Sequence, residues 1–121
     1  MIKKRFKLPR GSKLKSRKKI GKLFESGKSK VVYPLKAIWQ EGEKTQIAVS
    51  VPKRNFKKAI ERNLLKRRIR EVWRQNPDLP EGIEVIFIFI GNKEADFNEL
   101  NSSMLSLIKR ISTSKAEKHE K

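Results

Sequence analysis

The chain has 121 residues and carries 31 lysines and arginines against 13 aspartates and glutamates, a formal net charge of +18. This length suits one domain, and 36% apolar residues suffice for a small core but form no run long enough to span a membrane. The absence of cysteine excludes disulfides, thiolate nucleophiles and cysteine-ligated zinc, and no apolar block follows the basic N-terminus to make a signal peptide. We therefore expect a cytoplasmic protein with no membrane partner.

Most of the positive charge lies in two segments. Residues 1–30 and 53–74 together carry 23 of the 31 basic side chains and 3 of the 13 acidic ones, so the rest of the chain is nearly neutral. Clustered cations repel one another unless a polyanion neutralises them, which favours nucleic acid as the partner. An anionic membrane surface and a merely solvated charged face are the competing interpretations.

The N-terminal part predicts a flexible basic arm followed by a short helix. Residues 1–15 show no hydrophobic periodicity, whereas Ser16 is suited to cap a helix over 17–26 that Gly27 ends. The apolar stripe of this helix consists of Ile20, Leu23 and Phe24.

Two strands come next, on either side of a predicted hairpin turn at residues 41–44. Each strand alternates an apolar face with a semi-polar face. The semi-polar faces consist of Lys36, Ile38 and Gln40 in the first strand and of Gln46, Ala48 and Ser50 in the second. Such a face is either solvated or the floor of a groove.

A long helix is predicted over residues 57–75, before Asn76 and Pro77. Its apolar stripe consists of Leu65, Ile69, Val72 and Trp73, and a separate stripe consists of Asn63, Lys66, Arg67, Arg70 and Arg74. We expect the first stripe to dock on the sheet and the second to face RNA, because guanidinium groups bind phosphate in a bidentate manner. A second apolar line, formed by Phe56, Ile60 and Leu64, either packs under the preceding loop or touches the partner.

The remaining elements are a strand at residues 83–90, apolar on both faces like a central strand, and a last helix that begins at Asp96. We expect this helix to end near Ile111, within a domain of residues 16–111, and residues 112–121 to form a polar, disordered tail. The fold class is therefore α+β, a single-domain α/β sandwich of order α-β-β(-β)-α-β-α. The chain has one histidine, His119, in that tail, so we expect no catalytic or metal-ligating side chains in the protein.

Residues 48–71, AVSVPKRNFKKAIERNLLKRRIRE, resemble the signature of the bacterial ribonuclease P protein component. The resemblance extends to the basic arm, to the end of the first helix and to the apolar strand after the long helix. It implies a ribosomal-protein-like fold with a left-handed βαβ crossover. It also implies an enzyme subunit that joins a catalytic RNA to remove the 5′ leader of precursor tRNA, with the RNA carrying the chemistry and binding most of the Mg²⁺, and with no obligate protein partner.

The resemblance further implies roles for particular residues. Contacts with the catalytic RNA are expected at Arg62, Asn63, Lys66, Arg67 and Arg70, and further RNA contacts at Lys53, Arg54 and Lys58. A cleft for the single-stranded leader is expected to be lined by Ile20 and Phe24, with a floor of Lys36, Ile38, Ala48 and Ser50.

The chain departs from the family pattern at three positions near these residues. Leu64 stands where the family has a further arginine, and Lys57 replaces a frequent glycine. Ile20 replaces an aromatic residue one turn before Phe24, and Trp39 is a possible substitute for the lost ring.

Other function classes give distinct alternatives. A ribosomal or ribosome-associated structural protein shares the charge but needs no single-strand groove. A DNA-binding regulator needs a helix-turn-helix pair, which is not evident.

Overall fold

Within residues 13–76 and 79–119, which the structure describes, three helices and four strands follow the predicted order. The structure is a computed structural model. The elements are α1 (Arg17–Ser26), β1 (Lys28–Val32), β2 (Leu35–Glu41), β3 (Gln46–Ser50), α2 (Ala59–Arg74), β4 (Ile83–Phe89) and α3 (Phe97–His119). The predicted α+β class is confirmed, and the optional third strand before α2 is present as β1.

Strand β4 lies in the interior of a mixed sheet with the order β1-β2-β4-β3. It runs antiparallel to β2 and parallel to β3, so that Val85 has Trp39 on one side and Ile47 on the other. Every β4 residue except Ile88 is buried, which confirms the prediction of a central strand. The chain from β3 through α2 to β4 is thus a βαβ crossover, whose left hand stays a prediction.

The segment after β2 is not the hairpin turn that its sequence predicts. Because β4 lies between β2 and β3, this segment passes across the start of β4. The Gly42 N–H donates to the Gly82 carbonyl at 2.9 Å, and the Thr45 hydroxyl donates to the Pro80 carbonyl at 2.8 Å. The hairpin prediction was wrong because turn-forming residues do not indicate whether a later strand will enter between the two they connect.

The main core lies between one face of the sheet and helices α2 and α3. The rings of Trp73 and Phe87 are 5.4 Å apart between centroids, and those of Phe56 and Phe89 are 5.7 Å apart. The predicted apolar stripe of α2 is completely buried here, as are the α3 residues Leu100, Met104, Leu107, Ile108 and Ile111. Each such side chain contributes roughly 1.5–3 kcal/mol through burial, which makes this layer the main source of stability.

Helix α3 begins as predicted and continues beyond the predicted end. The Asp96 carboxylate accepts a hydrogen bond from the Glu99 N–H at 2.9 Å, and the helix runs past Ile111 to His119. Ser114 is 3% exposed and accepts a hydrogen bond from Lys28 Nζ at 2.9 Å. The prediction of disorder from Ser112 was therefore wrong as far as His119, because a polar residue three positions after Ile111 still lies on the buried side of the helix.

No helix in the described part of the chain is long and apolar enough to cross a membrane.

Helix α1 covers part of the opposite face of the sheet. The Ser16 hydroxyl caps it by accepting from the Lys19 N–H at 3.3 Å, and Leu23 is completely buried against Ile38 and Ile86. Leu14 joins the same cluster and donates its N–H to the Ile47 carbonyl at 2.8 Å. Ordered packing thus begins within the predicted flexible arm, of which residues 1–12 lie outside the described residues.

Gly27 ends α1 at a point where the backbone touches the sheet. A Cβ atom here would lie 2.6 Å from the Leu23 carbonyl oxygen and 2.9 Å from Ile38 Cγ2. We expect Gly27→Ala to lower the free energy of unfolding by about 1–3 kcal/mol through overpacking. Gly21→Ala is the matched control, since nothing lies within 4 Å of its Cβ, and it should raise that free energy by up to about 1 kcal/mol. Urea denaturation of both variants checks this, and equal changes would contradict it.

Candidate nucleic-acid interface

The basic stripe of α2 faces away from the main core and lines an open groove. The lining consists of Lys13, Asn63, Lys66, Arg67, Arg70, Glu71 and Arg74. The helix separates these residues from its apolar stripe because residues three and four positions apart share a face. The structure therefore brings together the predicted stripe in full.

Lys13 is a member of this groove that the sequence pattern does not predict. It pairs with Ile47 in a parallel bridge on the outer side of β3, and the Leu14 N–H bond holds the same segment in place. The end of the arm thus lies beside the edge strand and directs a lysine toward α2. The signal in the sequence was Leu14, a lone apolar residue between two lysines, which is 5% exposed.

Three of the groove's cations on α2 take part in no ion pair with another described residue. Within residues 13–76 and 79–119, the salt bridges leave out Lys66, Arg67 and Arg70, whereas Arg74 Nη2 contacts Glu71 Oε1 at 2.7 Å. Unpaired guanidinium and ammonium groups on one helix face suit phosphate oxygens, since each such contact is a charge-assisted hydrogen bond. These three side chains are the strongest candidates for RNA contact.

Two other arginines of α2 bind the protein's own backbone. Arg62 Nη1 donates to the carbonyl oxygens of Phe56 and Lys57 at 2.7 and 2.9 Å. Arg68 Nη1 donates to the Ala95 carbonyl at 2.8 Å and lies 3.7 Å from Glu94 Oε1. Arg62, which the resemblance places against RNA, therefore also fixes the loop before α2, while Arg68 fixes the loop before α3.

The loop between β3 and α2 presents the other predicted basic residues. Lys53, Arg54 and Lys58 are all exposed, at one end of the basic groove's helix. The loop is anchored by Phe56, which is buried against Phe89, and by Asn55 Nδ2, which donates to the Gly91 carbonyl at 3.3 Å.

The second apolar line, formed by Phe56, Ile60 and Leu64, was predicted either to pack under the loop before α2 or to touch a partner, and its members differ in this respect. Phe56 packs under the loop, whereas Ile60 is 81% exposed and Leu64 is half-buried. Only Ile60 is thus placed to touch a partner without rearrangement.

The semi-polar face of the sheet is arranged in rows by the strand register. One row runs Gln40, Glu84, Gln46, the next runs Ile38, Ile86, Ala48, and the last runs Lys36, Ile88, Ser50. Helix α1 covers the middle row, so Ile38 is only 6% exposed, although the resemblance places it on the cleft floor. The half-buried last row is the part of the floor that α1 leaves accessible.

Lys19 of α1 contacts the row of Gln40, Glu84 and Gln46, and Leu23 lies over the middle row, so the helix geometry places Ile20 and Phe24 on the side of α1 nearer the accessible row. Ile20 is half-buried and packs against the cluster beneath α1, together with Ala48 and Ile88. Phe24, four residues later on the same side of the helix, keeps 56% of its surface exposed. Trp39 does not replace the missing second aromatic, because it is 3% exposed in the main core.

Two apolar residues that the sequence pattern does not single out continue this accessible surface. Ile88 lies in the floor between Lys36 and Ser50, and Val31 pairs with Lys36 across the first two strands while remaining 49% exposed. The sequence of β4 does not indicate which of its faces is accessible at Ile88, because every residue from Ile83 to Ile90 except Glu84 is apolar. Only the register shows which of them reaches the surface.

Among the described residues, no group of three or more histidines, aspartates or glutamates is placed to hold a metal ion.

Comparisons with known proteins identify one family. The Ribonuclease P family model matches residues 8–112. The ribonuclease P protein component of Porphyromonas gingivalis strain W83 is 30% identical over 119 residues, which cover 88% of this chain and 87% of the relative. That of Clostridioides difficile strain 630 is 33% identical over 101 residues, 77% of this chain and 85% of the relative.

Solved structures with the same fold carry the same designation. The RNase P protein from Thermotoga maritima superimposes with a TM-score of 0.73 at 25% identity, covering 81% of this chain and 96% of that one. The Staphylococcus aureus RNase P protein superimposes with a TM-score of 0.72, covering 85% of this chain and 96% of that one. At 19% identity, the second match supports the fold alone.

Arg67 and Arg68 are neighbours with the same chemistry and different surroundings. We expect Arg67→Gln to reduce the slope of log affinity for RNA against log salt by about 0.7–0.9, the contribution of one phosphate contact, with stability unchanged. Arg68→Gln should leave that slope unchanged and lower the free energy of unfolding by about 1.5–3 kcal/mol, since a charged donor is removed from a backbone carbonyl. Salt-dependent RNA binding and urea denaturation of both variants check this. Identical losses of slope would place Arg68 in the interface too.

Proposed function

The chain belongs to the ribonuclease P protein family, and from this premise we propose that its two surfaces bind two different RNAs. It is an RNA-binding protein component of ribonuclease P. In our proposal the basic groove of α2 binds the RNase P RNA, and the accessible row beside α1 binds the 5′ leader of precursor tRNA. The observation that carries the proposal is the separation of three unpaired cations on α2 from an exposed aromatic above a semi-polar sheet face.

The α2 groove supports binding to a large folded RNA. Lys66, Arg67 and Arg70 have no ion pair among the described residues, and Lys13 adds a fourth cation from a different segment. Phosphate contacts of this kind position an RNA without selecting its sequence. A rigid helix held by Leu65, Ile69 and Trp73 keeps these cations at fixed spacing, which suits a folded RNA surface better than a flexible strand.

The row of Lys36, Ile88 and Ser50 supports binding of a single strand. A lysine for the phosphate backbone, an apolar floor and an exposed Phe24 ring are the elements with which proteins bind unpaired nucleotides. Stacking on an aromatic ring is tolerant of base identity, which fits a leader whose sequence varies between precursors.

In this proposal the protein binds and positions RNA, and the RNA subunit performs the hydrolysis with Mg²⁺ that it holds itself. The protein acts in the cytoplasm as part of a tRNA-processing endonuclease. The ribosomal alternative is not favoured, because the family model and the relatives above are all ribonuclease P proteins.

The experiment that tests the proposal is cleavage of a leader-bearing precursor tRNA by bacterial RNase P RNA at low Mg²⁺, with and without the protein. We expect the protein to stimulate cutting at the mature 5′ end and to cut nothing alone. Tight RNA binding without stimulation would overturn the subunit role for this chain. Cleavage by the protein alone would overturn the assignment of catalysis to the RNA.

Phe24→Ala removes the exposed ring from the proposed leader surface. Since stacking contributes about 1–3 kcal/mol per base, we expect affinity for precursor tRNA in the reconstituted enzyme to fall by roughly 5- to 150-fold. Affinity for mature tRNA, which has no leader, should stay unchanged. Leu105→Ala is the matched control, because Leu105 is 49% exposed on α3, outside the proposed surface. Equal losses for both RNAs would contradict the placement of the leader beside α1.

A further inference from the structure

A buried carboxylate connects α1 to three strands of the sheet. Glu84 is in the interior strand β4, and its side chain is only 5% exposed. Its Oε2 lies 3.0 Å from Lys19 Nζ of α1, and its Oε1 accepts a hydrogen bond from Gln40 Nε2 of β2 at 2.7 Å. Lys19 Nζ also lies 3.4 Å from Gln46 Oε1 of β3. A single register row, Gln40–Glu84–Gln46, thus holds one lysine of the helix.

The carboxylate is enclosed on another side by Gly42. A Cβ atom at position 42 would lie 2.5 Å from Glu84 Oε2 and 2.6 Å from its Cδ. The loop after β2 is itself fixed there by the bond from the Gly42 N–H to the Gly82 carbonyl. Glu84 therefore has little freedom to turn away from Lys19, and the absence of a side chain at Gly42 leaves the space that this orientation requires.

The apolar contact beneath α1 is small, which gives the polar contact its importance. The cluster on this face has four buried members among the described residues, Leu14, Leu23, Ile38 and Ile86, against twenty in the main core. Leu23 is the one completely buried residue of α1 and Ile20 packs half-buried beside it, so these non-directional apolar contacts fix the rotation of the helix about its axis less firmly than a second, directional contact does. Lys19 lies one turn before Leu23, so its bond to Glu84 supplies that contact.

We propose that Glu84 is a positioning residue which, through Lys19, sets the orientation of α1 and so holds Phe24 beside the accessible row of the sheet. This inference rests on the proposed function. Lys19 and Phe24 lie on opposite sides of Leu23 along the helix surface, so rolling α1 to release Lys19 would carry the Phe24 ring toward or away from the floor. The carboxylate thereby controls the leader surface without touching RNA.

A different role for Lys19 is direct contact with phosphate, since its side chain is 44% exposed. Lys18 separates the two roles, because it is the adjacent exposed lysine of the same helical turn and no described bond joins its side chain to the sheet. Lys19→Met and Lys18→Met therefore remove the same charge from the same part of the helix.

The experiment measures the ratio of affinities for precursor and mature tRNA in the reconstituted enzyme. We expect Lys19→Met to lower this ratio by roughly three- to tenfold, a part of the contribution of the Phe24 stack, and Lys18→Met to leave it unchanged. Lys19→Arg should restore the ratio, because a guanidinium also pairs with a carboxylate. Equal effects of the two methionine variants would overturn the proposal and indicate a phosphate contact.

Gly42→Ala tests the same arrangement without changing any charge. The new methyl group displaces the Glu84 carboxylate, so we expect the same loss of the affinity ratio as for Lys19→Met, with the salt slope for RNase P RNA unchanged. In both variants, amide hydrogen exchange of residues 20–26 should be faster than in the wild type and in Lys18→Met. An unchanged ratio and unchanged exchange in folded Gly42→Ala protein would overturn the proposal.

The exchange measurement needs no RNA, so the two proposals fail separately. A wild-type enzyme that does not distinguish precursor from mature tRNA would overturn the leader assignment. Faster α1 exchange in Lys19→Met and Gly42→Ala would then still establish the contact between Glu84 and the helix, whereas normal exchange with intact wild-type discrimination would overturn the role of Glu84 alone.

Discussion

The fold depends on the need to bury both faces of β4. This strand is apolar at nearly every position, and the sheet order places it between β2 and β3 so that neighbouring strands and helices cover it from both sides. One face receives α2 and α3 and forms the main core. In the described part of the chain, the other face receives the short helix α1 and Leu14 before it, which do not cover the whole face. The uncovered remainder is the accessible row of Lys36, Ile88 and Ser50, so the candidate single-strand surface is a consequence of unequal coverage.

Some arginines of α2 bind other parts of the protein and others face the open groove, depending on the direction in which each side chain leaves the helix. Arg62 and Arg68 reach backbone carbonyl oxygens of adjacent loops, and Arg74 reaches a glutamate on its own helix. Lys66, Arg67 and Arg70 point into the open groove with Lys13. A cation satisfied by a carbonyl stabilises the protein and has fewer donors left for phosphate. High charge density on this helix therefore serves two purposes, and neighbouring arginines with identical chemistry differ in which one they serve.

Local patterns were sufficient to predict much of this arrangement. The two stripes of α2, the capping of α1 by Ser16 and of α3 by Asp96, and the interior place of β4 all follow from periodicity and capping residues, and all are present. The hairpin after β2 and the end of α3 were predicted wrongly. Both errors concern contacts between distant segments, namely β4 entering between β2 and β3, and Ser114 meeting Lys28 across 86 positions.

The sequence by itself determined the partner class and the elements, because charge and apolar spacing are properties of the chain that any fold must accommodate. It determined that one side of α2 would be buried and the other basic. Only the tertiary structure decided that Lys13 joins that basic side, that Ile38 is covered while Ile88 is accessible, and that Glu84 meets Lys19. These outcomes depend on strand register and on the angle at which α1 crosses the sheet, and both are set by packing between residues far apart in the chain.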